Sequence, residues 1–513
     1  MKTLKSKEWP ERATIGRWFA ILLMAAGMQP LVLPHLQAAA ANQEITDRAI
    51  TSAVSSDLHF DRLLEPYSLG IRGSEGIVTL SGSVDNLFVR RRAVKIAQSV
   101  RGVREVIDRI SVMPESRPDE DIRKDILTAL FNDPAADSYQ VRVTVKDGVV
   151  ALSGNIGAWA EAQLAQYLAE GVRGVRDIRN DLLINYVDRR TDAEIASDVQ
   201  GTLNWDIWVH DYPIRAEVKD GQVTLSGTVG SAIQEFRANV DARVRGVESV
   251  QDSELKVDPA APDKLRRRRK AAALPDAGIR EAVTAALRKD PRASRYGINV
   301  IVEDAVVILE GAVGYVKAKT AAEQDARDIV GVESVDNELA VRPEMNLPND
   351  ADAQKALRAA LKWDPTLDGA RIEAAVVNHA AYLSGSVQYA AQKAEAQDVA
   401  ARTKGVIFVR NHLTAGPELR YFHSAEPYFY YGQPDYYETL GPPPLKSDAD
   451  LKRDIERAFF WSAFVHRNDI KVTVDSGVVT LTGTVGTYLG FVEADRDARK
   501  SGAITVINRL KVL

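Results

Sequence analysis

The chain has 513 residues, more than one hydrophobic core supports, so its length predicts several domains. Apolar residues make up 45% and charged residues 27%, which is the balance of a folded protein and excludes a globally disordered one. Cysteine is absent, which excludes disulfide bonds, and the net charge of -5 disfavours non-specific binding of nucleic acid.

The first forty residues have the pattern of an export signal. Five basic side chains precede Trp18, an apolar run extends from Trp18 to Met28, and small residues follow at 38–41. Residues 1–40 are therefore predicted to be a cleavable signal peptide that directs the chain to the periplasm. The alternative is an uncleaved inner-membrane anchor, although the apolar run is shorter than the ~20 residues that cross a bilayer. Cleavage would remove five basic and two acidic side chains and lower the net charge from -5 to -8.

The rest of the chain repeats one pattern six times. Each copy carries a glycine in a stretch such as "LSG" and a second glycine 19 or 20 residues later. We call these twelve residues the signature glycines. They are Gly82, Gly154, Gly227, Gly311, Gly385 and Gly483, followed respectively by Gly102, Gly174, Gly246, Gly331, Gly405 and Gly502. We call the copies units 1 to 6, and their predicted bounds are 43–113, 118–187, 190–257, 276–342, 350–416 and 447–513.

Each unit is predicted to begin with an amphipathic helix. In unit 2, Ile122, Ile126 and Leu130 are spaced four residues apart, which places them on one helix face, and every other unit has apolar residues at the same three positions. Acidic or hydroxyl residues near the start of these helices are expected to cap the free amides of the first turn. They include Asp121, Asp192 and Ser447.

A hairpin of two alternating strands follows the first helix. Its turn in unit 3 is Asp220-Gly221, and Asp-Gly between alternating apolar residues is typical of a type I′ turn. Units 4 and 5 have Ala305 and the pair His379-Ala380 at this point, so their turns are expected to have another shape. In the second strand, Gly227 lacks a side chain where another element packs close, and we expect that element to be the next helix.

A second helix and a last strand complete the unit. In unit 3, Ile233, Phe236, Val240 and Val244 form one apolar stripe, and Gly246 suits a left-handed residue after the helix. The chain is thus predicted to be an α+β tandem repeat of small two-layer domains with the order helix, strand, strand, helix, strand. Domains of this size bury only about 60% of their unfolded surface, so neighbouring units are expected to support one another.

Two linkers interrupt the array. Residues 258–275 contain "KLRRRRK", which either contacts anionic lipid, at about 1 kcal/mol per charge, or forms a solvated hinge between two halves of three units. Residues 417–446 contain "YFHSAEPYFYYGQPDYYETLGPPP", which either packs along adjacent units or stacks on a glycan or peptide.

The unit resembles the BON domain, named for bacterial osmotically inducible periplasmic and nodulation proteins. The segments "DGVVALSGNI" with "GVRGVRDIRNDLLI" and "DGQVTLSGTV" with "RGVESVQDSELKV" match its pattern closely, whereas "SGAITVINRLKV" in unit 6 lacks the valine after its glycine. The resemblance covers nearly all of the chain after the signal. It implies a non-enzymatic module of the bacterial envelope that binds phospholipid surfaces or envelope proteins, linked with osmotic or envelope stress or with transport.

Sequence motifs for catalysis, metal binding and cofactors are not found, so no enzyme, metal, cofactor, nucleic-acid or small-molecule substrate function is expected. One acidic position recurs 21 residues before the first signature glycine. It could hold a cation, but a single carboxylate per unit favours a structural Asx turn at the helix end. The residues are Asp61, Asp133, Asp206, Asp290 and Asp364, with Ser462 in unit 6.

Aromatic residues at the ends of the first helices suit a membrane interface or packing against a neighbouring unit. Together with the basic linker they are the predicted contact for anionic phospholipid or an envelope protein. These residues are Phe60, Trp205, Trp208, Trp363, Trp461 and Phe464, with Arg266, Arg267, Arg268, Arg269 and Lys270 in the linker. Exposure of the rings would favour membrane binding, and burial between units would favour a protein-directed adaptor or scaffold. The oligomeric state is left open.

Overall fold

The computed structural model describes residues 45–61, 63–136, 139–186, 190–261, 274–342, 347–388, 390–415, 446–465, 469–503 and 505–512. These described residues form one compact body. The predicted signal peptide, residues 262–273 of the basic linker and residues 416–445 of the Tyr/Pro-rich linker lie outside the described residues, so the interpretations given for them stay predictions.

Two helices occur in each unit, as predicted. The first helices are Asp47–Phe60, Asp119–Asn132, Asp192–Trp205, Asp276–Lys289, Asp350–Trp363 and Asp448–Trp461. The second helices are Leu87–Gln98, Trp159–Glu170, Ala232–Asp241, Val316–Arg327, Ala390–Ala401 and Tyr488–Lys500.

Three strands form the sheet of each unit, and the last strand of units 4 and 5 is in two pieces. The first strands are Gly70–Ser74, Gln140–Lys146, Arg215–Lys219, Asn299–Glu303, Arg371–Val377 and Ile470–Asp475. The central strands are Ile77–Val84, Val149–Ile156, Gln222–Val229, Val306–Glu310 continued by Ala312–Val313, Ala380–Val387 and Val478–Val485. The last strands are Glu105–Val112, Asp177–Ile184, Ser249–Val257, Ser334–Asn337 with Ala340–Val341, Phe408–Asn411 with Thr414–Ala415, and Thr505–Val512. The predicted order helix, strand, strand, helix, strand is confirmed.

The central strand pairs on both sides, antiparallel to the first strand and parallel to the last. In unit 2, Leu152 is opposite Val143 on one side and Asn180 on the other. The second helix makes the crossover that a parallel pair requires. The apolar positions predicted for the first helix are buried in every unit and form the core with the central strand, as Ile122, Ile126 and Leu130 do in unit 2.

The second helix packs through a pair of alanines four residues apart. All twelve are fully buried, and their small side chains allow a close approach to the sheet. They are Ala93, Ala97, Ala165, Ala169, Ala238, Ala242, Ala322, Ala326, Ala396, Ala400, Ala494 and Ala498. The stripe predicted for unit 3 is therefore wrong at Phe236, which is 47% exposed because Ala238 and Ala242 occupy the buried face.

The first signature glycine of each unit lies against the backbone of the hairpin. The prediction that the next helix approaches it closely is wrong. Gly227 has φ of 132°, and a Cβ built on it would lie 2.2 Å from the carbonyl oxygen of Pro213, which precedes the first strand. Gly246 has φ of 96°, so the left-handed conformation predicted after the second helix is confirmed, and its Cβ would lie 3.0 Å from Ile195 of the first helix. Both glycines are needed because backbone and core lie too close for a side chain.

An aspartate clamp connects the first helix to the hairpin turn. In unit 3 the carboxylate of Asp192 accepts hydrogen bonds from the amides of Asp220 at 2.8 Å and Gly221 at 3.0 Å. An acidic group in the first helical turn also interacts favourably with the helix dipole. The same two bonds form in the other five units, to Asp47, Asp119, Asp276, Asp350 and Asp448.

The clamp corrects two predictions. Both turn residues have positive φ in unit 4, 49° at Asp304 and 65° at Ala305, and unit 5 is alike, so the expectation of another turn shape is wrong. Two bonds to one carboxylate hold the turn even without glycine. Ser447 caps its helix as predicted, whereas Asp192 acts as the clamp and leaves capping to Thr191. Asp121 lies inside a helix that has no side-chain cap.

Units pair through the ends of the first helices. Units 1 and 6 are joined by a bond from the Arg101 amide to the Trp461 carbonyl at 2.9 Å, and units 3 and 4 by one from the Val330 amide to the Trp205 carbonyl at 2.8 Å. Units 2 and 5 exchange two such bonds, one of them from the Arg173 amide to the Trp363 carbonyl at 2.9 Å. The same backbone contact thus pairs units 1 with 6, 2 with 5 and 3 with 4.

The turn of unit 4 offers a test of the clamp. Ala305→Gly should raise the free energy of unfolding by about 1 kcal/mol, because glycine adopts positive φ without the steric cost that alanine has there. Urea denaturation followed by circular dichroism measures it. Ala380→Gly is the matched control, since the same substitution in a strand should be destabilising. If both substitutions changed the free energy of unfolding in the same direction, the backbone strain inferred at Ala305 would be contradicted.

The signature glycines offer a second test. Gly227→Ala should lower the free energy of unfolding by about 3 kcal/mol, since the added methyl group meets a carbonyl and the backbone conformation is unfavourable for alanine. Gly297→Ala is the control, because a Cβ there has no atom within 4 Å. Thermal unfolding of both variants measures the difference. A Gly227 variant as stable as the control would refute the close approach.

Candidate functional site

The aromatic residues predicted to contact a membrane or partner lie between units. Trp363 of unit 5 and Trp461 of unit 6 pack on the core shared by units 1 and 2, and Trp205 of unit 3 packs on the core of unit 4. Trp208 is 8% exposed and meets Phe464 of unit 6 edge to face, with ring centroids 4.7 Å apart. These rings therefore stabilise contacts between units, both within the pairs and, through Trp208 and Phe464, between units 3 and 6. Burial between units is the outcome that favours an adaptor or scaffold.

Two other parts of the predicted contact cannot be placed. The side chain of Phe60 lies outside the described residues, and so do Arg266, Arg267, Arg268, Arg269 and Lys270 of the basic linker. They stay predictions.

The recurring aspartates at the helix ends make Asx turns. The Oδ1 atom of Asp133 accepts from the amide of Ala135 at 2.9 Å, and burial raises the pKa of Asp133 to about 6. Asp61, Asp206, Asp290 and Asp364 accept from the amide two residues on in the same way, and Ser462 does so with its hydroxyl. The structural interpretation is confirmed. Within the described ranges no group of three His, Cys, Asp or Glu side chains could hold a metal ion.

An exposed apolar surface lies on the outer face of the unit 5 sheet. Val377 is 52%, Tyr382 38% and Phe408 51% exposed. They belong to two adjacent rows of side chains that cross the three strands. The first row is Val377, Ala380 and Phe408, and the second is Ala375, Tyr382 and Arg410. Adjacent rows on one face of a sheet form a continuous patch.

The same two rows of unit 3 are polar. They are Lys219, Gln222 and Ser249, followed by Glu217, Thr224 and Gln251. The fold of the unit therefore does not require an apolar outer face. The apolar residues on the outer face of unit 5 are not explained by the fold.

Cations accompany the exposed rings. The guanidinium of Arg410 lies 5.6 Å from the ring centroid of Phe408. The ammonium group of Lys404 lies 5.2 Å from the ring of Phe131, a unit 2 residue that is 63% exposed, and the Lys404 amide donates to the carbonyl of Asn132 at 2.8 Å. We call Val377, Tyr382, Phe408 and Arg410 the unit 5 surface. It combines apolar side chains with positive charge, and Lys404 of the same unit forms a second cation–ring contact with paired unit 2.

The sequence analysis missed this surface, although the repeats contain its signal. At the position of Phe408 the other units have Glu105, Asp177, Ser249, Ser334 and Thr505. A column-by-column comparison of the units would have shown one aromatic residue among polar ones.

Comparisons with known proteins agree with the repeat. The family model described as "BON domain" matches residues 46–114, 118–186, 191–259, 275–343, 349–417 and 447–513. Osmotically-inducible protein Y of Escherichia coli (strain K12) is 32% identical over 143 residues, which cover 26% of this chain and 71% of that protein.

Two solved structures of CdsD, a structural protein of the type III secretion system of Chlamydia trachomatis, are also similar. The first has 15% identity and a TM-score of 0.12 and covers 43% of this chain and 99% of that one. The second, of the C-terminal domain, has 14% identity and a TM-score of 0.11 and covers 40% and 96%. With six matches of the family model spread over the described body, the chain belongs to the BON domain family.

Proposed function

We propose that this protein is a non-enzymatic periplasmic scaffold that acts in osmotic or envelope stress and binds an envelope protein through the unit 5 surface. Membership of the BON family and similarity to a protein named as osmotically inducible support the setting. The predicted signal at residues 1–40 supports export, with the uncleaved anchor as its alternative. None of the described helices is long and apolar enough to cross a membrane.

The unit 5 surface is the observation that carries the binding proposal. The Trp side chains at the helix ends pack against other units, whereas Val377, Tyr382 and Phe408 expose apolar area to solvent. Burying a large apolar side chain stabilises a complex by about 1.5–3 kcal/mol, and exposed aromatic patches mark protein interaction sites.

Anionic phospholipid is the second candidate ligand, and one feature favours it. Arg410 lies over the exposed ring of Phe408 on this surface, and Lys404 lies over the exposed ring of Phe131 in paired unit 2. Apolar rings with nearby cations suit the headgroup region of a bilayer, where the ring enters the interface and the cation meets phosphate. The basic linker would add charge to such a contact.

Photo-crosslinking tests the scaffold proposal. A photo-reactive phenylalanine analogue in place of Phe408, in the full chain expressed in cells, should cross-link one envelope protein, and Tyr382→Ala should reduce that cross-link at least tenfold. The analogue in place of Ile507, which is 39% exposed on the outer face of unit 6, is the matched control and should not form it. Equal cross-links from both positions, or none at 408, would overturn the proposal.

Co-sedimentation of the same chain with vesicles separates the lipid candidate. Binding to phosphatidylglycerol but not phosphatidylcholine vesicles, weakened by salt and by Lys404→Ala with Arg410→Ala, would replace the protein partner by a membrane surface. If the protein is a scaffold that binds an envelope protein, we expect the same fraction of the chain to sediment with both kinds of vesicle.

A further inference from the structure

Units 3 and 4 meet around buried charged groups from four helices. The first helix and its end contribute Asp206 in unit 3 and Lys289 in unit 4. The second helices contribute the remaining groups. They are Arg237 and Asp241 in unit 3 and Asp325 and Asp328 in unit 4. We call these six residues the unit 3–4 charge cluster. Asp206, Asp241 and Asp328 are buried, whereas Asp325 is half-buried and also interacts with Asp290 and Arg292 of unit 4.

Arg237 is engaged chiefly with one carboxylate. Its Nη2 atom lies 2.5 Å from Oδ2 of Asp206 but 3.8 Å from Oδ2 of Asp328, and its Nε atom lies 3.5 Å from Oδ1 of Asp241. Asp241 therefore has only a long contact with the guanidinium.

Lys289 does not neutralise Asp241 by a direct bond. Its Nζ atom crosses from unit 4 and donates to the main-chain carbonyls of Val240 at 3.3 Å and Asp241 at 3.1 Å. The Asp241 side chain is 4% exposed, and within the described residues its Oδ2 atom has no hydrogen-bond partner. A buried carboxylate without such a partner is costly, whereas the protonated form can donate a hydrogen bond.

The ionisation of the cluster follows from this geometry. Burial, with the neighbouring Asp206 as a further cause, raises the pKa of Asp241 to about 8. Burial also raises the pKa of Asp328 to about 6 and lowers the pKa of Lys289. At neutral pH the paired units therefore hold a proton on Asp241, a carboxyl group that would be ionised in water.

We infer that protons regulate the contact between units 3 and 4, which is tight when Asp241 is protonated and loosens when Asp241 ionises. When the units part, Asp241 gains water, and because burial is the main cause of its raised pKa, that pKa falls toward its ordinary value near 3.8. The stabilisation is fully present below pH 3.8 and is lost as the pH rises through about 8. Between pH 6 and 9 the contact should weaken, a response separate from the binding proposed at unit 5.

Hydrogen exchange of the full chain tests this inference. The amide of Ile207 donates to the carbonyl of Asp328 at 3.1 Å and that of Val330 to the carbonyl of Trp205, so both report on the contact. From pH 6 to 9 their protection factors should fall at least tenfold relative to Val223, which lies in the central strand of unit 3.

Asp241→Asn removes the titrating group and should abolish that fall, with more protection at pH 9 than in the native chain. Asp336→Asn, at an exposed site, is the control and should behave like the native chain. If Asp241→Asn does not fold, Asp328→Asn provides a second test. Between pH 5 and 7 the protection factors of Ile207 and Val330 should fall less in Asp328→Asn than in the native chain. A fall that persists in Asp241→Asn, or an equal fall at Val223, would overturn the inference.

Discussion

The end of an α-helix leaves carbonyl groups without donors from its own turns, and the arrangement of this protein depends on how they are satisfied. The first helices of units 2, 3, 5 and 6 each direct one such carbonyl to an amide of another unit. In units 3, 5 and 6 the residue that supplies this carbonyl is a tryptophan whose ring packs on another unit, as Trp461 does on the core of units 1 and 2. A unit of this size buries too little surface alone, and pairing supplies the rest.

Pairing also decides which surfaces remain for function. Trp205, Trp363 and Trp461 are amphipathic enough for a membrane interface, yet each covers the core of another unit. The outer faces of the unit 3 and unit 5 sheets carry different residues although the two units have the same fold. Unit 5 has apolar residues there, whereas unit 3 has polar ones. A binding surface can therefore be found by asking where one repeat departs from the others without a structural reason.

The repeat made each unit predictable because its signals are local. Apolar spacing of four indicates the first helix, and the glycine positions indicate the turns that L-residues avoid. Contacts between distant residues could not be read in this way. The turn at Ala305 keeps its shape because Asp276, far earlier in the chain, holds both amides. The pairing of units also could not be predicted from the sequence, because it depends on side chains that differ between copies. An example is Arg237 in unit 3, which has Glu395 as its counterpart in unit 5.

Covalent linkage explains how such charged interfaces persist. Each pairing contains a buried carboxyl group whose pKa is raised by burial: Asp241 to about 8 between units 3 and 4, Asp497 to about 7 beside unit 1, and Asp133 to about 6 beside unit 5. Two separate domains would associate poorly through such groups. The free energy needed to remove a charge from water exceeds the attraction that a poorly placed opposite charge provides. Units in one chain meet at a high effective concentration, which offsets that cost. The tandem array can thus retain interfaces that are only marginally favourable, and marginal interfaces are the ones that a change in proton concentration can open or close.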